Sequence, residues 1–143
     1  MIGFLIAVLS GMLMSVQGVF NTRVTESSSI WTANAFVQCS AFFVCMAAWA
    51  VTDRSSLLGV FKVEPKYMLL GGVMGAAITW TVIRSMDMLG PARAVLFIVV
   101  AQIAAAYLIE LFGLFGTQKA DWEWRKAIGM ALAVAGIAVF KWE

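Results

Sequence analysis

The sequence predicts an all-α integral membrane protein with five transmembrane helices. Three observations lead there. Hydrophobic residues make up 62% of the 143-residue chain, against roughly 45–50% in ordinary soluble domains. Charged residues make up only 13%, and a mean hydropathy of +0.91 leaves too little polar surface to coat a water-soluble globule. The apolar residues also fall in long blocks near the ~20 residues a helix needs to cross a bilayer, without the short alternating segments of a membrane barrel.

The blocks define one five-helix domain over residues 1–143, with spans at about 2–20, 30–51, 67–83, 94–115 and 124–141. Ile2–Phe20 has no basic stretch before it and outlasts a signal-peptide core, so an uncleaved span is expected. Ile30–Val51 carries Trp31 and Trp49 near its ends, where interfacial aromatics belong. Tyr67–Ile83 follows Pro65, which suits a first helical turn because its missing N–H has no helical partner there. Gly90-Pro91 places the next turn, since proline lacks a donor and biases the residue before it away from helix. The fourth span runs from Ala94 to Phe115. The fifth has a short apolar core, Ala127–Phe140, with Arg125, Lys126 and Lys141 placed to snorkel and Trp122, Trp124 and Trp142 marking the interfaces. The longest loop, Thr52 to Lys66, is too short for a catalytic domain.

A formal charge of +2 gives no reason to expect a nucleic-acid partner. The absence of histidine removes imidazole bases, Ser-His and Cys-His nucleophiles and the commonest metal ligand. No enzyme activity, metal or cofactor is expected. Cys39 and Cys45 diverge by about 600° along one helix and cannot bridge within it; they read as small apolar residues. Gly71 and Gly75 form a G-x-x-x-G, and Gly129, Ala133 and Gly136 line one stripe of the fifth span. Such small faces let helices approach closely, within a subunit or between two.

An odd number of spans puts the termini on opposite sides of the membrane. Arg54, Lys62, Lys66, Lys119, Arg125 and Lys126 lie on the N-terminal side, and Arg23, Arg84, Arg93 and Lys141 on the other. Six against four is a slight bias towards an inward N-terminus. So even a balance fits a chain that inserts both ways, or one member of a pair with opposite preferences.

Polar residues recur inside the spans. Ser10, Gln17 and Asn21 share one face of the first helix, and Asn34 and Gln38 are an i, i+4 pair on the second. The third offers Thr79 and Thr81, with Arg84 near its end. The fourth carries Gln102 and Glu110, about 80° apart in projection and roughly 12 Å apart along the axis. Such groups either glue helices together, at about 0.6 kcal/mol each, or face inward to line a cavity. Glu110 differs in kind, because a mid-membrane acid costs roughly 2.5–3.5 kcal/mol on insertion scales. It reads as a proton or cation site, or as an anchor that snorkels or pairs with Lys119. Tyr107 and Trp80 are candidate walls for a cation.

Gln17 and Asn21, the LGPARA turn at Leu89–Ala94, AQIAAAYLIELFGLFG with Gln102 and Glu110, and RKAIGMALAVAGIAV from Arg125 to Val139 together resemble one family. It is the YdcZ-type family of small five-helix bacterial inner-membrane proteins, grouped with the drug/metabolite transporter superfamily. The resemblance covers essentially the whole chain. Two positions depart from it: Ala101-Gln102 stands where the family usually has Gly-Gln, and Glu110-Leu-Phe-Gly113 where it has Asp-x-x-Gly. The resemblance implies half of an inverted-repeat transporter in the bacterial inner membrane. Larger relatives fuse two five-helix units in opposite orientation, and small ones must assemble them.

The expectation is therefore a small secondary transporter, or a subunit of one. It would work in the lipid bilayer as an antiparallel homodimer, or as a heterodimer with a related five-helix subunit. Glu110 would exchange a proton for a small cationic or polar substrate, while Gln102, Gln17, Asn21, Asn34 and Gln38 orient it. No nucleotide-binding motif is present, so a gradient would drive it. The alternatives are a non-transporting accessory protein and a channel for an ion or small solute.

Overall fold

The computed structural model describes residues 1–140. The snorkelling expected of Lys141 and the interfacial place expected of Trp142 lie outside the described residues. The described residues form helices joined by short connections, with no strand among them, and divide into two units, Met1–Met88 and a second that begins at Leu89.

In the first unit, α1 (Ile2–Thr25) and α2 (Ile30–Thr52) pack side by side. Each outlasts its apolar block, α1 by five residues past Phe20. Helical hydrogen bonding does not stop where hydrocarbon stops, and the extension carries an Arg23–Glu26 pair at 2.7 Å, one turn apart. Ser29 starts α2 as its N-cap, its Oγ accepting from the Thr32 amide at 3.1 Å. The chain leaves α2 through Arg54, at φ 52°, with the amides of Asp53 and Arg54 both donating to the Trp49 carbonyl.

A 3-10 helix, Leu57–Lys62, fills the linker, and a second, Lys66–Leu70, leads into α3 (Gly71–Leu89). Two expectations change here. Pro65 caps this second 3-10 segment instead of sitting in the first turn of an α-helix, and α-helical geometry begins only at Gly71. α3 also runs six residues past Ile83, again with an Arg–acid pair one turn apart, Arg84–Asp87 at 3.2 Å. The buried residues of this unit are Gly18, Asn21, Ala33, Asn34, Ile83 and Met86. Gly18 matters because a Cβ there would run into the thioether end of Met86, so α1 meets α3 at a residue without a side chain.

The second unit holds α4 (Pro91–Phe112) and α5 (Trp124–Phe140), packed together. Gly90 alone separates α3 from α4, at φ 80° and ψ 157°, a conformation open essentially to glycine, and Pro91 takes the first helical position. α4 therefore starts three residues before Ala94. It also ends at Phe112, not Phe115. Gly113 turns left-handed at φ 63°, and its amide folds back to the Glu110 carbonyl at 3.2 Å. Leu114 and Phe115 keep the hydropathy high after the helix has stopped, which is why the apolar block overran it.

Four helical stretches, Ile2–Thr25, Ile30–Thr52, Lys66–Leu89 and Pro91–Phe112, are long and apolar enough to cross a membrane. No more than 6% of any of their most apolar windows is buried within the protein. Most of their side chains are exposed, which suits helices surrounded by lipid. α5 is shorter, with 17 described residues.

Candidate functional site

The polar residues expected to matter fall in both units, and each unit arranges its own. In the first, the i, i+4 amides of α2 both reach α3. Asn34 Nδ2 donates to the Ala76 carbonyl at 2.7 Å, and Gln38 Nε2 to Thr79 Oγ1 at 3.4 Å. The Thr79 hydroxyl donates in turn to the Gly75 carbonyl at 3.0 Å. Gly75 faces this chain, with a Cβ there coming into ordinary contact with Gln38 Nε2 at 3.8 Å, whereas nothing lies within 4 Å of a Cβ at Gly71. Asn34 is 3% exposed, and its Oδ1 is buried with no hydrogen-bond partner. A buried acceptor without a donor is costly, so such atoms stand out.

Asn21 on α1 is 7% exposed, while Gln17, one turn earlier, is open to the surroundings. Ser10 and Thr81 bond carbonyls of their own helices, Ile6 and Ala77. Trp80 stacks on Trp31, with ring centroids 6.2 Å apart and planes at 27°.

In the second unit, α4 and α5 enclose an open groove of about 400 Å³. Glu110 and Lys126 are its charged residues, Tyr107 is its aromatic wall, and Ala106, Gly129 and Ala133 keep it wide. Helix periodicity explains the α4 side: Ile103, Ala106, Tyr107 and Glu110 recur every three or four residues and so share a face. On α5, Lys126, Gly129, Met130 and Ala133 follow the same rhythm. Gln102 is exposed and is not part of the lining.

Tyr107, only 6% exposed, ties the groove to the loop before α5, its hydroxyl oxygen accepting from the Glu123 amide at 3.0 Å. The Glu123 carboxylate holds Lys126 at 3.0 Å, and the Lys126 ammonium stands 5.6 Å from the Tyr107 ring centre, in cation–π range. Trp122 lies 6.0 Å from the Tyr107 ring, tilted by 47°, and meets Trp124 edge-on at 5.6 Å. The Glu110 carbonyl accepts from the Gly113 and Ala120 amides, so the backbone below the carboxylate is pinned on both sides of the turn. Lys126 was expected only to snorkel, and nothing in local spacing could have put it on the same groove as Glu110, sixteen positions earlier.

A family model described as "Putative inner membrane exporter, YdcZ" matches residues 2–139. The chain belongs to the YdcZ family. It is accordingly a multi-pass inner-membrane protein of a family of exporters, not of enzymes. The resemblance carried by Gln17, Asn21, the Leu89–Ala94 turn and Glu110 thus pointed to the right family. Searches of curated proteins and of solved structures each found no match for this YdcZ-family chain.

Proposed function

We propose that this YdcZ-family chain is half of a proton-coupled secondary exporter that works as an antiparallel dimer, with a second copy or with a related five-helix subunit. α5 is then the fifth span. Its 17 residues extend about 26 Å, a little short of the ~30 Å hydrocarbon core, and Arg125 and Lys126 close the difference by reaching for the interface. The observation that carries the reading is Glu110 lining, with Lys126, an open, small-residue groove between two largely apolar helices. Glu110 is exposed along this groove, so a cation and a proton can both reach its carboxylate. Cation and proton are alternative partners of one carboxylate, so a cationic substrate bound at Glu110 would displace a proton, and a proton would displace the substrate. In the first unit, Gln17, Asn21, Asn34 and Gln38 would offer polar contacts of their own, and in the second Gln102 would do so from outside the groove's lining. The bonds from Asn34 and Gln38 to α3 favour a second role for those two, binding helices together.

The test uses purified protein in liposomes with a pH-sensitive dye inside and a panel of small organic cations outside. Wild type should release protons in a saturable, substrate-dependent way. Glu110→Gln keeps shape and hydrogen bonding but has no proton to exchange, so it should assemble normally and lose the proton signal. Glu110→Asp should retain part of it. Normal, pH-dependent transport by Glu110→Gln would reduce Glu110 to an anchor. Unsaturable flux in the wild type would mean a channel, and silence towards the whole panel an accessory protein.

A further inference from the structure

The linker between α2 and α3 contains a contradiction if it is read as a solvated loop. Its 3-10 helix, Leu57–Lys62, carries four large apolar side chains, and all are exposed: Leu57 at 52%, Leu58 at 71%, Val60 at 55% and Phe61 at 64%. With three residues per turn, a 3-10 helix stacks its side chains in three rows. One row holds Leu57 and Val60, the next Leu58 and Phe61, and the third only Gly59 and Lys62. Two adjacent rows are greasy and the third is bare or charged. That is the pattern of a helix lying at a boundary between water and oil.

The ends of the segment place that boundary. α2 and the Lys66–Leu89 stretch are each long and apolar enough to span the membrane, so the linker starts and finishes at one membrane face. Its start is folded back on α2: the Arg54 guanidinium Nε donates to the Ala50 carbonyl at 2.7 Å, and the Trp49 indole donates to the Ser55 carbonyl at 2.9 Å. Its end is held by Lys66, whose ammonium donates to the Phe61 carbonyl at 2.6 Å and pairs with Glu64 at 2.9 Å. The chain thus cannot stretch far into water. Arg54, Lys62 and Lys66 outnumber Asp53 and Glu64, which suits a surface of lipid phosphates.

We infer that Leu57–Lys62 lies in the plane of the bilayer interface, with the Leu57–Val60 and Leu58–Phe61 rows in the acyl layer and Lys62 among anionic headgroups. The linker is then a lipid-binding float that fixes the depth of α2 and α3. This stands apart from the transport reading and holds for a transporter or an accessory protein alike.

Site-directed spin labelling tests it on the full chain. With Cys39 and Cys45 replaced by Ala, single cysteines go in at Leu58, Phe61 and Gly59. Nothing lies within 4 Å of a Cβ at Gly59, so the label fits there. The labelled proteins are reconstituted in phosphatidylethanolamine–phosphatidylglycerol vesicles, and collisions with oxygen and with a water-soluble nickel chelate are compared. Labels at Leu58 and Phe61 should favour oxygen, and the label at Gly59 should favour the chelate. Replacing Lys62 by Glu should lift the Leu58 label towards water in these vesicles and leave it unmoved in purely zwitterionic ones. Free access of the chelate to all three labels overturns the inference. So does protection of Leu58 and Phe61 accompanied by spin–spin broadening, which would mean that a second copy covers them instead of lipid.

Discussion

Gly18 and Asn34 show how single atoms set the packing of the first unit. A methyl at Gly18 would collide with the far end of Met86, a flexible thioether that is able to swing aside. Gly18→Ala should therefore be nearly neutral, while the branched Gly18→Ile, which reaches past Met86, should cost about 1–3 kcal/mol. Thermal unfolding of the purified variants in detergent reads the difference, and equal melting of both would mean that α1 does not press on α3 at this point. Asn34→Ala removes the bond to Ala76 and also the buried, partnerless Oδ1. The two losses oppose each other, so the net cost should stay near or below the ~0.6 kcal/mol average for membrane hydrogen bonds. The sequence made the Asn34–Gln38 face legible, because i, i+4 spacing alone puts both amides together. It was silent on their acceptors at Ala76 and Thr79, some forty residues away, and on Lys126 beside Glu110. Contacts across helices depend on rotation and depth, and neither is written in local spacing.

At the level of helices, apolar blocks coincide with the four stretches long and apolar enough to cross a membrane, but several helices begin or end elsewhere than their blocks. Hydropathy measures what the membrane tolerates, whereas a helix stops where its backbone must. Polar residues let α1 and α3 run on through Arg23–Glu26 and Arg84–Asp87, and a left-handed Gly113 stopped α4 inside a greasy run. Gly90 and Gly113 are the two backbone-determined boundaries, and they should respond differently to substitution. At Gly113, φ 63° and ψ 35° are ordinary left-handed angles, so Gly113→Asn should be tolerated and Gly113→Ala should cost about 1–2 kcal/mol. At Gly90, φ 80° with ψ 157° is closed to both, and either substitution should cost about 1–3 kcal/mol. Thermal unfolding of the four variants checks this. If Gly90→Asn behaves like Gly113→Asn, the chain between α3 and α4 relaxes to another turn.

For the whole molecule the open question is which way up it sits, and charge supplies a handle. With five spans, as proposed, the side of the N-terminus would carry six basic residues and the other side four, a preference too weak to enforce one orientation. Replacing both Lys119 and Arg125 with Gln leaves four on each side, and copies with the N-terminus outward should become more frequent. Adding lysines at Ser27 and Ser28 as well should make the outward N-terminus dominant. Single cysteines near each terminus, in a chain cleared of Cys39 and Cys45 and probed from one face of sealed vesicles, count the two populations. In the wild type, both ends should label from both faces if one chain supplies both halves of the dimer. The decisive step is to join this count to transport. An antiparallel homodimer needs both orientations, so liposomes of the lysine-added protein should lose activity in proportion to its rarer form. Mixing it with wild type before reconstitution should restore that activity, because each preparation then supplies the partner the other lacks. Full activity from a population of one orientation would rule out the antiparallel homodimer. A wild type that labels from one face only, and is active only with a related subunit of opposite preference, would leave the heterodimer as the working unit.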